Sequence, residues 1–434
     1  MKNKSYYYQD LLSFYKFNVP IHRKIIEIKN RNYSILAELK PSQGVCIDLF
    51  KNPNINELNL KEKFEYIILP DSLNQLDDIQ KVIHKLRNLV TPESRIILNY
   101  YNFFWSPLLI FAEKLGLKKK QKQDKDNWLN TDDIHNLLAI EDFEIIKTNK
   151  RFLFPVYIPI ISKFINKYIG NLPIINKFCL VNYIIARPLR IKRENKLKVS
   201  VIIPARNEKG NIENAVKRLP KLGQHTEIIF IEGHSKDNTY QEIKKVAKKY
   251  KQLDIKYTKQ EGIGKSDAVR KGFAMAKGDI LMILDADLTV PPEELIKFYS
   301  AIVSGKGELI IGSRLVYPME QEAMQPLNVF GNKFFSVIFT WMLGQSIKDT
   351  LCGTKVISQE NYQKIAANRD YFGDFDPFGD FDLIFGSAKL NFKFIEIPIK
   401  YKARQYGETN ISRFKHGLLL LKMTLFALNK LKFK

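Results

Sequence analysis

Short apolar runs alternate with amphipathic stretches along this chain, and the alternation occurs twice. In the first part, three apolar runs predict strands, and helical spacing between the last two predicts a helix. These strands are Gly44–Asp48, Phe64–Leu69 and Ser94–Asn99, and the helix is Leu76–Leu89. The later part predicts strands at Val199–Ile203, Glu227–Ile231, Ile255–Thr258, Ile280–Leu284 and Glu308–Ile311, and helices at Asn211–Leu219, Thr239–Tyr250, Ser266–Ala276 and Pro292–Val303. Such alternation is typical of a parallel sheet with helices on both faces.

A polar segment separates the two parts. Arg190–Lys196 reads RIKRENK, and a new strand begins at Lys198 with KVSVIIPA. We therefore predict two tandem α/β domains, at 1–189 and 198–412, joined by a linker at 190–197. An amphipathic helix is predicted at 413–434, where apolar residues alternate with lysines.

The composition is that of a globular protein. Of the 434 residues, 45% are hydrophobic and 26% charged, which excludes disorder as the main state. The longest uncharged apolar runs, Phe152–Ser162 and Phe334–Ile347, are shorter than the roughly 20 residues that cross a bilayer. The first residues lack a continuous apolar core, so we expect no signal peptide. The three cysteines are isolated along the chain, which favours a reducing, cytoplasmic setting.

The net charge of +23 permits anionic partners. Only 15 of the 69 basic residues are arginine, the better reader of phosphates and base edges, so we expect no nucleic-acid partner. The C-terminal letters GLLLLKMTLFALNKLKFK instead favour a peripheral position at the inner face of a membrane. The alternative is a terminal helix that packs on the core.

The motif Asp285-Ala286-Asp287 directly follows the apolar run that ends at Leu284. Ligands of open α/β sheets bind beyond the carboxyl ends of strands. Two carboxylates one residue apart repel each other unless a cation lies between them. Magnesium or manganese suits such oxygen ligands and can also bind a diphosphate. The motif therefore predicts a divalent metal site, with a helix cap before Pro291-Pro292 as the alternative.

Two further polar loops, Pro204–Glu208 and Glu232–Thr239, follow predicted strands. Together with the segments VIIPARNE, EIIFIEGHSKDNT, GIGKSDAVRKGF, GDILMILDADLTVPPEEL and IIGSR, the chain from Lys198 to Phe414 resembles the family 2 inverting glycosyltransferases of the GT-A fold. Within that family it looks like the polyprenyl- or dolichyl-phosphate mannose synthases. The resemblance implies hexose transfer from a nucleoside diphosphate sugar to a polyprenyl phosphate or a membrane-associated glycan acceptor.

The resemblance also assigns roles by position. At the nucleotide sugar it places Pro204, Ala205, Arg206, Asn207, Glu208, Glu232, Lys265, Asp285, Ala286 and Asp287. Asp285 and Asp287 would hold the metal. Arg314 would lie near the acceptor phosphate, and Arg404, in ARQYGETNIS, belongs to a loop that closes over the phosphates. The catalytic set implied is Asp285, Asp287, Arg314, Arg404 and Asp382.

The family resemblance also covers the run Asp349–Lys355 and bears on two acidic residues further along the chain. The run Asp349–Lys355 matches the part of the family in which a backbone turn approaches the sugar. Asp380 and Asp382, in FGDFDLIF, are candidate bases for a hydroxyl acceptor, or alternatively a helix cap. A lipid monophosphate needs no base, because its oxygen is already anionic. The chain departs from the family at Gly233, where a second Asp is usual, and at Thr289, where the synthases often have Gln.

The first domain resembles the opening βαβ unit of class I S-adenosylmethionine-dependent methyltransferases, in KIIEIKNRNYSILAELKPSQGVCIDLF. The family loop reads roughly E-x-G-x-G-x-G. Glu27 fits it, but the three glycines become Lys29, Arg31 and Tyr33, which would fill the space that the cofactor needs. Asp48 matches the acid that holds the ribose. We therefore expect an eroded methyltransferase-like, Rossmann-like domain that does not bind S-adenosylmethionine.

Two alternative functions are also compatible with the sequence. One is an active methyltransferase with a passive second domain, and another is a non-catalytic scaffold at a membrane surface.

The aromatic-rich stretch Phe152–Tyr183 predicts a hairpin or helix pair in the core of the first domain. Its alternative is a docking surface for a membrane or for the second domain.

Overall fold

Two separate sheets organise the chain. The computed structural model describes residues 6–52, 60–114, 116, 127–189, 196–318, 326–372, 379, 381–407 and 413–433. The chain divides into two compact units, which we call unit 1 (Met1–Leu189 with Phe433–Lys434) and unit 2 (Arg190–Lys432). The described residues form a six-stranded sheet in unit 1 and a seven-stranded sheet in unit 2.

The elements of unit 1 follow the predicted alternation and then depart from it. They are α1 Tyr6–Asn18, β1 Lys24–Lys29, β2 Gln43–Asp48, β3 Phe64–Leu69, α2 Ile79–Leu86, β4 Val90–Tyr101, α3 Ser106–Lys114, α4 Thr131–Ile140, β5 Phe143–Arg151, α5 Ile161–Lys167 and β6 Val181–Pro188. The strand order is β2-β1-β3-β4-β6-β5. β1 to β4 are parallel, whereas β6 runs antiparallel to both β4 and β5.

Helix α2 is shorter than the predicted Leu76–Leu89. It begins at Ile79 because the Asp78 carboxylate accepts a hydrogen bond from the backbone N–H of Lys81, which caps the helix. The chain continues from Leu86 as a single 3₁₀ turn. The predicted strand Phe64–Leu69 is confirmed, and Ser94–Asn99 lies inside the longer β4.

Alternate residues of the unit 1 strands supply two buried clusters, one on each face of the sheet. One cluster joins Ile26 and Ile67 to residues of α2 and α4, and we call this the α2/α4 face. The other joins Ile25 and Ile68 to residues of α1, and we call this the α1 face. Successive apolar residues of these strands therefore pack alternately on the two faces of the sheet.

Unit 2 contains the remaining elements. They are β7 Lys198–Ala205, α6 Ile212–Arg218, β8 His225–Glu232, α7 Thr239–Lys249, β9 Asp254–Lys259, α8 Lys265–Met275, β10 Ile280–Ile283, α9 Leu295–Val303, β11 Leu309–Ser313, α10 Pro326–Leu343, β12 Lys355–Ser358, α11 Gln359–Ala367, α12 Phe381–Lys389, β13 Phe394–Pro398 and α13 Arg413–Leu431. The strand order is β13-β11-β12-β10-β7-β8-β9.

The expectation of wholly parallel sheets is wrong. In unit 2, β12 runs antiparallel to both β10 and β11, and in unit 1 β6 is the reversed strand. A parallel neighbour needs a crossover connection, and the four residues of β12 carry no pattern that distinguishes the two directions. Both units are therefore α/β with mixed sheets.

Helix α13 buries one side and exposes another. Leu420, Met423 and Ala427 are buried, whereas Leu418 and Leu425 are exposed. Within the described residues, no helix combines the length and the apolar character required to cross a membrane.

Candidate active site

Three parallel strands end together at one edge of the unit 2 sheet. Ala205, the last residue of β7, pairs with Glu232, the last residue of β8. Ile283, the last residue of β10, pairs with Ile202 of β7. The loops that follow these strands therefore share one edge, the edge at which open α/β sheets bind ligands.

Arg404 connects two of these loops. Its Nη1 donates to Glu208 Oε1 at 2.6 Å, and its Nη2 donates to Asp287 Oδ2 at 2.7 Å. Burial raises the pKa of Glu208, and the neighbouring Arg404 only partly offsets this. Asn211 Nδ2 donates to the second oxygen of Glu208, at 2.8 Å. Arg404 is thus held between the loop after β7 and the loop after β10.

Asp285 has a cationic partner of its own. The Nζ of Lys265, the first residue of α8, lies 2.5 Å from Asp285 Oδ1. Burial by itself raises the pKa of Asp285, but Lys265 and the more distant Lys355 and Arg314 lower it below its ordinary value. Asp285 is therefore held as a carboxylate. The sequence resemblance places Lys265 at the nucleotide sugar, and in the structure it contacts Asp285 of the predicted metal motif.

Thr289 orients Asp287. The backbone N–H and the Oγ1 of Thr289 donate to Asp287 Oδ1 at 3.1 and 2.9 Å. The other oxygen of Asp287 accepts from Arg404. The threonine that stands where the synthases often have Gln is thus a positioning residue for the second carboxylate.

Gly353 lies directly against the first carboxylate. A Cβ at this position would clash with Asp285 Oδ2 and Lys265 Nζ. Lys355, which is fully buried, donates through Nζ to the carbonyl oxygen of Cys352 at 2.6 Å. The turn before β12 therefore has no side chain at the point where it approaches Asp285.

Asp285 and Asp287 have the donor chemistry of a magnesium or manganese site. Carboxylate oxygens are the ligands these ions prefer, and Mg²⁺ is often bound by one or two carboxylates together with substrate phosphates. The described residues contain no group of three or more His, Cys, Asp or Glu arranged to hold a metal. Two carboxylates, Asp285 and Asp287, fit an ion whose other ligands come from a diphosphate and water.

The loops after β7 and β8 are joined by hydrogen bonds. Asn207 has a positive φ of 57°, and its Oδ1 accepts from the backbone N–H of Lys236 at 2.7 Å. Glu232 Oε1 accepts from the backbone N–H of Ser235 at 2.5 Å. Asn207 and Glu232, both predicted to contact the nucleotide, thus also shape the loops around it.

The other predicted nucleotide residues differ in exposure. Ala205 and Ala286 are buried members of the core cluster, so only their backbone can face a ligand. Pro204 is half-buried, and Arg206 is exposed at the edge where the strands end. Of these four, Arg206 is the side chain most accessible to a base or phosphate.

Arg314 forms a buried ion pair with Asp349 that no local sequence pattern predicts. Its Nε and Nη2 donate to the two oxygens of Asp349, each at 2.7 Å, and its guanidinium lies 5.1 Å from the ring centre of Tyr401. Asn332 Nδ2, from α10, donates to Asp349 Oδ1 at 2.7 Å. Burial raises the pKa of Asp349, but Arg314 more than reverses this and holds it below its ordinary value. Arg314 therefore has a fixed orientation, and its contact with an acceptor phosphate remains a prediction.

Asp382 lies in the first turn of α12, beside two arginines. Arg369 Nε is 3.3 Å and Arg270 Nη2 is 3.6 Å from its Oδ2. The structure thus gives Asp382 two ion-pair partners, and its role as a general base stays a prediction. Asp380 and the end of the Arg404 loop, residues 408–412, lie outside the described residues.

A comparison with protein families bears on this site. Residues 200–366 match the family model described as Glycosyl transferase family 2. Unit 2 carries a family 2 glycosyltransferase domain. The matched segment includes β7 to β12, and with them the loops that hold Glu208, Asp285 and Asp287. Arg404 lies beyond the matched segment.

The family 2 domain is similar to transferases that use lipid phosphates. The dolichol-phosphate mannosyltransferase of Pyrococcus furiosus is 30% identical over 220 residues, which are 50% of this chain and 59% of that protein. The enzyme of the same name from Saccharomyces cerevisiae is 38% identical over 112 residues, 24% of this chain and 41% of that protein. The UDP-N-acetylglucosamine–dolichyl-phosphate N-acetylglucosaminyltransferase of Methanococcus voltae is 27% identical and covers 52% of this chain and 96% of that protein. The chain thus spans less than two thirds of the length of the first two relatives.

Solved structures show a weaker likeness. Glucosyl-3-phosphoglycerate synthase from Mycobacterium tuberculosis, in complex with phosphoglyceric acid, has a TM-score of 0.40 and 17% identity, covering 54% of this chain and 80% of that one. The same enzyme in complex with Mn²⁺, UDP and glucosyl-3-phosphoglycerate has a TM-score of 0.39 and 15% identity, again over 54% and 80%.

At the three positions where the methyltransferase family has glycines, unit 1 has side chains that make polar contacts. Its sheet reverses order between β1 and β3, where an open α/β sheet forms a ligand crevice. Lys29 Nζ lies 2.7 Å from Asp48 Oδ2, and this hydrogen bond lowers the pKa of Asp48 although burial raises it. Arg31 Nε donates to the carbonyl oxygen of Asp71, and the Tyr33 hydroxyl donates to its carboxylate, at 2.8 and 2.5 Å. All three replacements thus have partners within the unit.

Proposed function

We propose that unit 2 is an inverting glycosyltransferase of the GT-A fold that moves a hexose from a nucleoside diphosphate sugar to a polyprenyl phosphate. The observation that carries this proposal is the arrangement of Asp285 and Asp287 at the shared strand edge, beside Lys265 and Arg404. Two carboxylates and two cations within one cluster suit a ligand that combines a diphosphate with a divalent metal.

The donor side of the reaction follows from these four residues. Asp285 and Asp287 would hold Mg²⁺ or Mn²⁺, which neutralises charge on the leaving nucleoside diphosphate when it is bound. Lys265 and Arg404 lie beside the same carboxylates and would contact the diphosphate oxygens. Arg206, exposed at the same edge, would contact the base or a phosphate.

The acceptor side favours a lipid phosphate. Its oxygen is anionic at neutral pH, so in-line attack on the anomeric carbon needs no general base, but cations must offset the repulsion between two phosphorylated substrates. Arg314, oriented by Asp349, would supply one of them. A membrane-associated glycan acceptor would instead need a base such as Asp382, which already forms ion pairs with Arg369 and Arg270. The relatives named for dolichyl phosphate support the first acceptor.

A peripheral position at the cytoplasmic face of the membrane is part of this proposal. Leu418 and Leu425 project from α13 into solvent, and the exposed Lys422 lies between them. On α10, Phe330 and Phe334 are exposed one turn apart. Apolar side chains interspersed with lysines suit the boundary of an anionic bilayer.

For unit 1 we infer a fold that does not bind S-adenosylmethionine. Lys29, Arg31 and Tyr33 stand where the methyltransferase family has glycines, and each has a polar contact that a bound cofactor would have to displace. Asp48, the expected ribose ligand, is already paired with Lys29. The absence of heat on titration with S-adenosylmethionine would support this inference, and saturable binding would favour the methyltransferase alternative.

The glycosyltransferase proposal is tested by calorimetric titration with GDP and with UDP, each with and without Mn²⁺. We expect metal-dependent binding of one nucleotide, and we expect Asp287→Ala to abolish it. Glu213→Ala is the matched control, because Glu213 is a surface carboxylate paired with Lys249. Failure of the folded protein to bind either nucleotide would contradict the proposal and favour the membrane scaffold.

A further inference from the structure

Unit 1 carries an unusual number of exposed apolar side chains in two segments. Among its described residues, 19 large hydrophobic side chains are exposed, and 15 of them lie in 103–111 and 156–178. They include Phe103, Phe104, Leu108, Ile110 and Phe111 in the first segment, and Val156, Tyr157, Ile158, Ile160, Ile161, Phe164, Tyr168, Leu172, Ile174 and Phe178 in the second. The prediction that the stretch Phe152–Tyr183 packs as a core hairpin or helix pair is therefore wrong for these ten side chains. Apolar composition without a clear period does not distinguish a buried stretch from an exposed one.

The two segments form one surface. The rings of Phe104 and Phe178 lie 6.3 Å apart, and Trp105 Nε1 donates to the carbonyl oxygen of Phe178 at 2.8 Å. Asn102 Nδ2 donates to the carbonyl oxygens of Lys177 and Cys179, both at 2.9 Å. We call residues 103–114 and 153–178 the Phe104–Phe178 surface.

The backbone beneath this surface is held by polar side chains. Asn166 accepts from the backbone N–H of Phe154 at 2.7 Å and donates to the Tyr6 hydroxyl at 2.9 Å. The buried Ser162 hydroxyl donates to the carbonyl oxygen of Val156 and accepts from the backbone N–H of Ile158. The apolar side chains therefore project from an ordered frame, and their exposure is built into the fold.

The charge on the surface has one dominant sign. Residues 152–178 contain three lysines, Lys163, Lys167 and Lys177, and no Asp or Glu. All three lysines are exposed. The first segment adds Glu113 and the exposed Lys114. A second copy of this surface would bring lysines against lysines, whereas an anionic lipid layer complements both the apolar side chains and the charge.

We propose that the Phe104–Phe178 surface docks unit 1 onto anionic lipid headgroups, with its aromatic and aliphatic side chains inserted at the acyl boundary. The choice of a lipid partner rests in part on the proposed function, since a polyprenyl phosphate acceptor is itself embedded in a membrane. Docking onto lipid is a role for unit 1 that needs no cofactor. The surface belongs to unit 1, whereas the exposed side chains of α10 and α13 named above belong to unit 2.

The test is flotation of the full-length protein with two kinds of vesicle. One consists of phosphatidylcholine alone, and the other also contains phosphatidylglycerol. We expect the protein to bind the anionic vesicles, and we expect salt to weaken this binding. The four-site variant Phe104→Ser/Phe111→Ser/Ile160→Ser/Phe164→Ser should bind these vesicles with an affinity lower by about tenfold or more. Lys163→Glu/Lys167→Glu should weaken binding to anionic vesicles only. Unchanged vesicle binding by the four-site variant would overturn the proposal.

Ile140→Ser provides the matched control. Ile140 is 61% exposed and ends α4, whose Ile134 and Leu138 pack on the α2/α4 face. The proposed surface flanks the α1 face, where Trp105, Leu109 and Phe152 pack. Ile140→Ser should therefore leave vesicle binding unchanged, and a loss equal to that of the four-site variant would count against a specific surface.

Two further measurements separate this proposal from its rivals. Asp287→Ala should bind vesicles like the parent protein, so failure of the glycosyltransferase proposal does not affect the vesicle result. The four-site variant should retain metal-dependent nucleotide binding, which shows that unit 2 is folded. Light scattering of the parent should give one species that the four-site variant does not change. Dissociation of an oligomer on substitution would mean that a second copy of the chain covers the surface, and would overturn the lipid assignment.

Discussion

Arg404 donates to Glu208 and Asp287 at the same time, through different nitrogens of one guanidinium, at 2.6 and 2.7 Å. The two carboxylates belong to loops that follow different strands, and Arg404 lies 196 residues after Glu208 and 117 after Asp287. A planar guanidinium can make both contacts because its donors diverge in fixed directions, whereas an ammonium is a compact point charge.

Arg404→Lys should therefore lower the rate of sugar transfer although it keeps the charge. We expect kcat to fall about 100-fold, the effect typical of removing one positioned donor to a developing negative charge. The measurement is steady-state transfer from the nucleotide sugar that binds, with kcat and KM determined separately. Arg218→Lys is the control, because Arg218 makes a similar two-point contact with Glu293 on the exposed surface. Equal rates for Arg404→Lys and the parent would show that the bridge does not contribute.

Gly353→Ala should disturb the proposed metal site without unfolding the protein. The added Cβ would clash with Asp285 Oδ2 and Lys265 Nζ, so the carboxylate must move. We expect the metal-dependent affinity for nucleotide to fall about tenfold or more, as found when groups that orient metal ligands are altered. Calorimetric titration with Mn²⁺ measures it.

The control for Gly353→Ala is Gly331→Ala in α10, where a Cβ has nothing within 4 Å. This change should leave nucleotide affinity as it is and stabilise the protein by about 0.5–1 kcal/mol, because alanine is the better helix former. If both variants bind nucleotide like the parent, the close approach of Gly353 to Asp285 has no functional role.

Asp349→Asn should destabilise unit 2 in a pH-dependent way. The change leaves the Arg314 guanidinium buried without its counter-charge, which costs about 3–5 kcal/mol at neutral pH. Because Arg314 lowers the pKa of Asp349 in the folded protein, the stabilisation is fully present above the unfolded pKa of about 3.9. It is lost as the pH falls through the lower folded pKa. The free energy of unfolding in urea, measured from neutral to acidic pH, should therefore converge for parent and variant only at the acidic end.

Asp254→Asn is the matched carboxylate change. Asp254 pairs with His225 at 3.0 Å on the exposed surface, and such pairs contribute between 0 and about 1 kcal/mol. A loss of stability for Asp349→Asn no greater than for Asp254→Asn would contradict a structural role for the buried pair.

Tyr33→Phe should destabilise unit 1. Tyr33 stands at a position where the methyltransferase family has a glycine. The Tyr33 hydroxyl donates to the Asp71 carboxylate, which is 1% exposed, and its loss should cost roughly 1–3 kcal/mol. Tyr8→Phe is the control, since the Tyr8 hydroxyl makes an exposed contact of 3.4 Å and should matter by less than about 0.5 kcal/mol. Urea unfolding followed by near-ultraviolet circular dichroism distinguishes them.

Local patterns predicted much of the fold and part of the site. The strands that end at Ala205, Glu232 and Ile283 were recognisable from apolar runs followed by polar loops, and parallel strands place such loops at one edge. The motif Asp285-Ala286-Asp287 was recognisable because two adjacent acids after a buried strand need a counter-charge. Both signals lie within short windows of sequence.

Contacts between distant residues could not be predicted in the same way. Nothing near Arg314 indicates that Asp349, 35 residues later, binds its guanidinium. The family resemblance marked the run Asp349–Lys355 as a turn near the sugar, but it did not indicate that Gly353 lies against Asp285, because a glycine does not reveal what its missing Cβ would meet. The direction of β12 and the exposure of Phe164 also depend on tertiary structure, which apolar composition does not encode.

The short run Asp349–Lys355 reaches both halves of the proposed reaction. Its first residue fixes Arg314, proposed to face the acceptor, and Gly353 and Lys355 lie near Asp285, proposed to face the donor. A donor that shifts this run would change the affinity for the acceptor. Thermodynamic linkage requires the acceptor to change the affinity for the donor by the same factor. Substitutions here should therefore alter donor and acceptor affinities together. An engineer who wants to change one specificity alone should leave this run intact.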